Sequence, residues 1–289
     1  MRLSTNTGLH SARKDKERYS VEETCDFLAA VGFRCIEMNF CASIYKEPFR
    51  VDRTLLDLGW QSRMERLRER LDNLGVEVPY AHLPFYRFEE EDRANSSEYE
   101  LTLRAIKAGA ILGVKWAVVH PSKLEDEEGA FTATKEYLES LLEAAHKYDV
   151  RLAVENLPLP GLFCSNVDAL CSLVDSFGGA VGICWDTGHG NITETDQAAS
   201  LRRVGERVKM LHLHDNFGSK DEHSLPYCGK VSWEEVMAAL ADIGFSGHLN
   251  FEVSASRVPE PLREAHGKYL HQVGSELLEL YARVAAQWQ

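Results

Sequence analysis

Residues 181–190 of the chain read VGICWDTGHG. A continuous apolar run ends in Asp186, and a turn with two glycines brings His189 three residues later. Such a run is typical of a parallel strand that is covered on both faces. The glycines permit a sharp turn, which predicts that both polar side chains face one pocket. A buried strand that ends in a polar side chain is therefore the repeating unit to search for.

The same unit recurs along the rest of the chain. Seven predicted strands end in, or nearly in, a residue that can bind a metal or move a proton: Glu37, His82, His120, Glu155, Asp186, His212 and Glu252. Consecutive members are separated by 26 residues (Asp186 to His212) up to 45 residues (Glu37 to His82). Each separation is about one strand followed by one helix, so these residues are expected to meet where the strands end.

Eight strands are predicted in all: Arg2–Thr5, Arg34–Asn39, Glu77–His82, Trp116–His120, Arg151–Glu155, Val181–Asp186, Lys209–His214 and Leu249–Val253. Helical patterns separate them, and eight alternations in 289 residues predict an α/β (β/α)8 TIM barrel that forms a single domain over residues 1–289. A doubly wound open sheet is the rival fold. The chain has no G-x-G-x-x-G turn, which that fold would usually offer after an early strand.

The charge balance narrows the classes of partner. Lys and Arg number 32 against 45 Asp and Glu, a formal net charge of −13, which argues against a general binder of nucleic acid or of anionic membranes. The loops after the second and third strands add only modest basic content, at Lys46, Arg50, Arg53 and Arg87. Because there is no membrane-length apolar run and no signal-like start, a cytoplasmic protein is expected. Seven cysteines without a C-x-x-C pair make a disulfide framework or a cysteine zinc site unlikely.

Four of the strand-end residues form the strongest candidate site. Glu155, Asp186, His212 and Glu252 combine three carboxylates with one imidazole, a set that suits Mn²⁺, Mg²⁺, Co²⁺ or Zn²⁺. Three acids in one barrel mouth would repel each other without a cation. The sequence therefore predicts a divalent metal site.

Further polar residues are predicted around that site. His189 is expected to contact the metal or the substrate, and Asp221 with His223 forms a D-x-H pair that is a candidate second metal or substrate site. Additional ligands are also expected at His82 and His120. Substrate-binding roles are predicted for Glu37, His189, His214 and Arg257. Strand alternation places His214 on the same side as His212, where it could also orient a ligand.

The combination of these motifs resembles the xylose-isomerase-like TIM barrel superfamily, and in particular its sugar phosphate isomerase/epimerase members. The resemblance runs from Cys35-Ile-Glu37 to Phe251-Glu252-Val253, and its most specific parts are Val154-Glu155-Asn156, Gly182-Ile-Cys-Trp-Asp186-Thr-Gly-His189, Leu211-His212-Leu-His-Asp215 and Val231-Ser-Trp233. It implies a metal-dependent isomerase or epimerase that acts on a sugar, a sugar acid or a cyclitol. Family analogy also implies a possible homo-oligomer.

The ketose 3-epimerases of this superfamily suggest how the residues divide the work. By that resemblance, Glu155, Asp186, His212 and Glu252 hold one divalent ion, and Glu155 and Glu252 are the catalytic pair on opposite faces of the substrate. One removes the proton α to the carbonyl and the other returns it, while the metal stabilises the ene-diolate.

The superfamily also contains endonuclease IV-type enzymes, which cleave abasic DNA with three zinc ions. Their nine-ligand pattern is matched by residue type at His82, His120, Glu155, Asp186, His189, His212, Asp221, His223 and Glu252. Multi-zinc phosphodiester hydrolysis is therefore the alternative function. The net charge disfavours it, as does the loop Leu225-Pro-Tyr-Cys-Gly-Lys230, which lacks a glycine-rich stretch.

Overall fold

The predicted barrel is confirmed by a computed structural model, which describes residues 1–11, 19–40, 55, 57–86, 88 and 97–286. Its eight strands are all parallel. Their bounds are β1 Leu3–Asn6, β2 Cys35–Asn39, β3 Glu77–His82, β4 Trp116–Val119, β5 Arg151–Glu155, β6 Val181–Asp186, β7 Val208–His212 and β8 Leu249–Phe251.

The strands follow one another around the barrel in chain order. β1 pairs with β2 on one side and with β8 on the other, and pairing continues from β2 to β7. Closure between β7 and β8 depends on one residue beyond β7. The amide of Leu213 donates to the carbonyl of Asn250 at 2.8 Å, and the amide of Glu252 donates to the carbonyl of Leu213 at 3.1 Å.

Nine α-helices surround the strands within the described ranges. They are α1 Val21–Ala30, α2 Trp60–Leu74, α3 Ser97–Leu112, α4 Glu127–Lys147, α5 Val167–Asp175, α6 Thr187–Thr193, α7 Gln197–Val204, α8 Trp233–Asp242 and α9 Glu260–Ala285. In α2 the side chains of Trp60, Met64, Leu67 and Leu71 recur every three or four residues, so they share one face of the helix, and all four are buried. The residue that follows the helix, Gly75, is its C-cap, and its φ of 65° lies in the left-handed region that favours glycine. Among the described helices, none is long and apolar enough to cross a membrane.

Alternation along the strands divides the barrel interior into layers. An apolar layer at the centre is formed by Tyr80, Trp116, Val118, Ala153, Cys184 and Met210. Two residues further along the same five strands come the side chains of the next layer: His82, Glu155, Asp186 and His212, which lie within their strands, and His120, which directly follows β4. The apolar layer thus supports a polar one at the carboxyl end of the barrel.

Candidate metal centre

The strand-end residues predicted from sequence converge at the carboxyl end of the barrel. His212 is the last residue of β7 and is fully buried. Its Nδ1 lies 2.7 Å from Glu155 Oε1 and 3.1 Å from Glu252 Oε2. Donor atoms of Glu155, Asp186, His212 and Glu252 all lie within 4.8 Å of one another. Atoms bound to one ion are about 3 to 4 Å apart, so this set fits a single divalent cation.

Asp186 is held in place by its neighbours in the chain. It is the N-cap of α6, where its Oδ1 accepts the amide of His189 at 2.7 Å. The side chain of Asn156 clamps its backbone, accepting from the Asp186 amide at 2.7 Å and donating to the Asp186 carbonyl at 3.0 Å. His214 Nε2 lies 3.0 Å from the Asp186 carboxylate. The sharp turn predicted for VGICWDTGHG is therefore the first turn of a short helix.

The electrostatics of these side chains are strongly coupled. Burial by itself would raise the pKa of Glu155, but the charges of His212 and His120 hold it well below its ordinary value. Burial likewise acts to raise the pKa of Glu252, which His212 lowers to about 2. For His212 burial acts in the opposite sense, and facing groups that include Cys184, Glu252 and Glu37 raise its pKa well above the ordinary value. Positive charge at this position is strongly favoured.

A second cluster forms around the other oxygen of Glu155. Its Oε2 lies 2.6 Å from His120 Nε2 and 3.6 Å from His82 Nε2, and the two imidazole nitrogens are 3.2 Å apart. This buried oxygen nevertheless forms no hydrogen bond within the described residues. A buried carboxylate oxygen that lacks a hydrogen bond and lies beside two imidazole nitrogens is a ligand that a cation would satisfy. The donor set is thus chemically suited to a metal on both sides of Glu155.

A third cluster lies at the rim of the barrel. Asp221 Oδ2 is 3.3 Å from His189 Nε2 and 3.1 Å from His223 Nε2. Burial would lower the pKa of both histidines, but Asp186 and Asp221 raise that of His189 to about 9, and Asp221 and Glu252 raise that of His223 to about 10. The D-x-H pair predicted from sequence therefore does reach the same mouth as Asp186.

The residues predicted to bind substrate have different positions. His189 lies in the mouth and is 4% exposed. His214 is fully buried, stacks on His223 with ring centroids 4.2 Å apart, and contacts Asp186. Glu37 is also fully buried, on the inner side of His212. Arg257 is exposed in the loop after β8. The predicted basic loop residues Lys46, Arg50, Arg53 and Arg87 lie outside the described residues.

Three asparagines of the site were not singled out from the sequence. Asn156 clamps Asp186, while Asn6 and Asn250 both donate to Glu37. Asparagine at a strand end is common in turns, so the residue type alone carries no signal. For Asn250 alternation was available, because it lies two residues before Glu252 and must face the same side.

The chain is thus an α/β barrel with a candidate metal centre at the carboxyl end of its strands. The chain belongs to the xylose isomerase-like TIM barrel family, whose model matches residues 25–272. It is 32% identical over 124 residues to the D-psicose 3-epimerase of Enterocloster bolteae, which covers 42% of this chain and 40% of that protein. The chain spans 60% of the length of another curated relative, the y4fM protein of Sinorhizobium fredii.

Solved structures extend the similarity of fold to the full barrel. The structure of an L-ribulose 3-epimerase superposes with a TM-score of 0.75 at 19% identity, covering 100% of this chain and 98% of that one. The IOLI protein, solved with a bound zinc atom, superposes with a TM-score of 0.73 at 16% identity, covering 100% and 99%. At this identity the likeness establishes the fold alone.

Proposed function

We propose that the chain is a divalent-metal-dependent isomerase or epimerase that acts on a sugar, a sugar acid or a cyclitol. The observation that carries this proposal is the cluster of Glu155, Asp186, His212 and Glu252, with four donor atoms within 4.8 Å of one another. These residues would hold Mn²⁺, Mg²⁺, Co²⁺ or Zn²⁺. When bound, such an ion supplies a Lewis acid that polarises a carbonyl and stabilises ene-diolate charge.

The two glutamates are the proposed acid and base. Inverting a carbon α to a carbonyl requires proton removal on one face and proton return on the other, a task that two opposed carboxylates can perform. Glu155 and Glu252 meet the same nitrogen of His212 but come from β5 and from the end of β8. The side chain of Glu252 is 18% exposed and that of Glu155 is 1% exposed. Glu252 is therefore the one that faces the open mouth.

Other parts of the proposal follow from family membership and the described rim. A small sugar, and not nucleic acid, is the proposed substrate, in agreement with the relative named as a D-psicose 3-epimerase. We propose that His189 and His223 contact its hydroxyls from the rim. We further propose that residues 1–289 form one domain, that the protein acts in the cytoplasm, and that it associates as a homo-oligomer.

Solvent exchange tests this function directly. Metal-loaded protein is incubated with candidate ketoses in D₂O, and NMR follows deuterium entry at the carbon next to the carbonyl. Glu252→Gln should lower the exchange rate by about 10²- to 10⁴-fold, since it removes a general base. Glu264→Gln is the matched control, because Glu264 is an exposed acid of α9 paired with Lys268. Exchange at the wild-type rate in Glu252→Gln would refute the assigned role.

The second candidate function is a multi-metal phosphodiesterase that acts on abasic DNA. One observation favours it: the His82–His120–Glu155 and His189–Asp221–His223 clusters flank the central four residues. Elemental analysis distinguishes the two functions, since three ions per chain would support the phosphodiesterase and one ion the isomerase. Cleavage of an abasic duplex, without exchange into any ketose, would replace the first proposal by the second.

A further inference from the structure

Glu37 lies on the inner side of His212, away from the barrel mouth. Its Oε1 is 3.0 Å from His212 Nε2, and both side chains are fully buried. The other ring nitrogen, Nδ1, faces Glu155 and Glu252. The imidazole is thus held between one carboxylate on its inner side and two on the side of the candidate metal centre.

We propose that Glu37 is a positioning residue that holds His212 in the tautomer with its proton on Nε2, so that the Nδ1 lone pair serves as the metal ligand. The inference rests on the part of the proposed function that makes His212 a ligand. It replaces the expectation that Glu37 contacts the substrate. The strand register sets Glu37 level with Tyr80 of the central apolar layer, one layer deeper than His82, so its carboxylate does not reach the mouth.

Two asparagines fix the orientation of Glu37. Its Oε2 accepts from Asn250 Nδ2 at 2.7 Å and from Asn6 Nδ2 at 3.1 Å. Asn250 Nδ2 also donates to the carbonyl of Leu211 at 3.2 Å, so a flipped amide would put its oxygen against two acceptors. These contacts present Glu37 Oε1 to His212. Oε1 is thereby oriented to accept a hydrogen bond from Nε2, while Nδ1 faces the two carboxylates of the candidate metal centre.

The four residues of this network come from neighbouring strands. His212 ends β7, Asn250 lies in β8, Asn6 ends β1 and Glu37 lies in β2, and these strands are consecutive around the barrel. Asn6 is anchored in turn, since its Oδ1 accepts from the amide of Gly8 at 2.7 Å. The orientation of the His212 imidazole is therefore set by side chains from β8, β1 and β2, the strands that follow β7 around the barrel. Carboxylate partners of this kind fix the tautomer of metal-binding histidines and raise their basicity.

The tautomer can be measured on the unmodified chain. Full-length protein with ¹⁵N-labelled histidine is loaded with Zn²⁺, and long-range ¹H–¹⁵N spectra report the state of each ring nitrogen. His212→Asn identifies the His212 signals by their loss. The expected result is a protonated Nε2 and a metal-bound Nδ1. A proton on Nδ1 with the metal on Nε2, or His212 signals that do not respond to Zn²⁺, would overturn the proposal.

Zn²⁺ affinity provides the second test, measured by competition with a chelating dye. Glu37→Leu removes the acceptor, and we expect affinity to fall by about 10- to 100-fold. Glu37→Gln should retain part of it, because its carbonyl can still accept from His212. Tyr137→Phe is the stability control, since it removes a buried hydrogen bond to Thr102 between α4 and α3. It should lower the melting temperature and leave Zn²⁺ affinity unchanged.

The outcomes separate this inference from the proposed function. Wild-type Zn²⁺ affinity in folded Glu37→Leu would overturn the positioning role, whatever the enzyme does. Conversely, a protein that binds Zn²⁺ through Nδ1 of His212 but exchanges no ketose would refute the isomerase and leave the role of Glu37 intact.

Discussion

The charged side chains at the two ends of the barrel differ in their exposure and in their partners. At the amino end, cations and acids pair at the surface: Arg2 contacts Glu77, and Lys115 Nζ lies 3.1 Å from Asp149, with the two side chains 59% and 90% exposed. Arg151 there stacks on Trp116, its guanidinium 4.4 Å from the ring centroid. At the carboxyl end the carboxylates of Glu155 and Asp186 are buried, and their ion-pair partners within the described ranges are histidines.

This difference indicates that the charged pairs at the amino end contribute only to stability, whereas those at the carboxyl end form the candidate site. Exposed ion pairs contribute about 0 to 1 kcal/mol each, and the charged groups in them already have partners within the protein. Buried acids in a low-dielectric site repel one another unless a cation offsets them. The charges at the amino end are therefore compensated without a ligand. The carboxyl end instead brings together potential metal ligands, and a bound cation would stabilise this arrangement.

Adding a methyl group at Gly188 should give the largest effect on stability. A Cβ there would lie 1.9 Å from Cε1 of the fully buried His214, whereas at Gly182, near the amino end, it would meet Lys209 Cγ at 2.5 Å and Trp116 Cζ3 at 3.0 Å. Lys209 is half-buried and can move into solvent. We expect Gly188→Ala to lower the free energy of unfolding by about 3 kcal/mol and Gly182→Ala by about 1 kcal/mol.

Urea denaturation measures both variants of that pair. Alanine ordinarily stabilises a helix relative to glycine by about 1 kcal/mol, so a loss at Gly188, inside α6, must come from the clash with His214. Equal losses at the two positions would show that the carboxyl end is no more tightly constrained than the amino end.

Metal loading should produce the next largest effect. Zn²⁺ at about 100 times its dissociation constant should stabilise the folded protein by about 2.7 kcal/mol, because it binds the folded state alone. Differential scanning calorimetry would follow the rise in melting temperature and its reversal by a chelator. Glu155→Gln should lose most of the gain, since Glu155 contacts both His120 and His212. Lys115→Ala at the amino end should keep it, and an equal gain in both variants would argue against a site at Glu155.

The order of the strands and most of their bounds could be predicted from the sequence, because the pattern of apolar residues in a strand is a local property. The bounds of β3, β5 and β6 match the prediction, and β4 and β7 end earlier, at Val119 and His212. Helix caps were harder to predict. Ser-x-x-Glu or Ser-x-x-Asp spacings beginning at Ser20, Ser165 and Ser232 each predict a capping box. Ser20 forms one with Glu23, but Asn166 caps α5 in place of Ser165, and Ser232 caps α8 without a side-chain hydrogen bond.

Predicting the site was harder because its contacts cross the barrel. Strand-end positions brought Glu155, Asp186, His212 and Glu252 to one mouth in the prediction, and the described geometry agrees. Depth within the barrel was not predictable, since it depends on how four strands pack side by side. Glu37 lies two residues before the end of its predicted strand, whereas Glu155 ends its own, but only the three-dimensional structure shows that Glu37 contacts Nε2 of His212.

The smallest expected effect is at the amino end. Breaking the Lys115–Asp149 pair with Lys115→Ala should change the free energy of unfolding by about 0.5 kcal/mol or less, because both side chains are exposed and solvent screens their attraction. A double-mutant cycle with Asp149→Ala isolates the pair energy. A coupling above about 2 kcal/mol would place this exposed pair on the same energetic scale as the buried mouth. The contrast between the two ends would then no longer hold, because strong electrostatic coupling would be a property of the whole barrel and not of its carboxyl end.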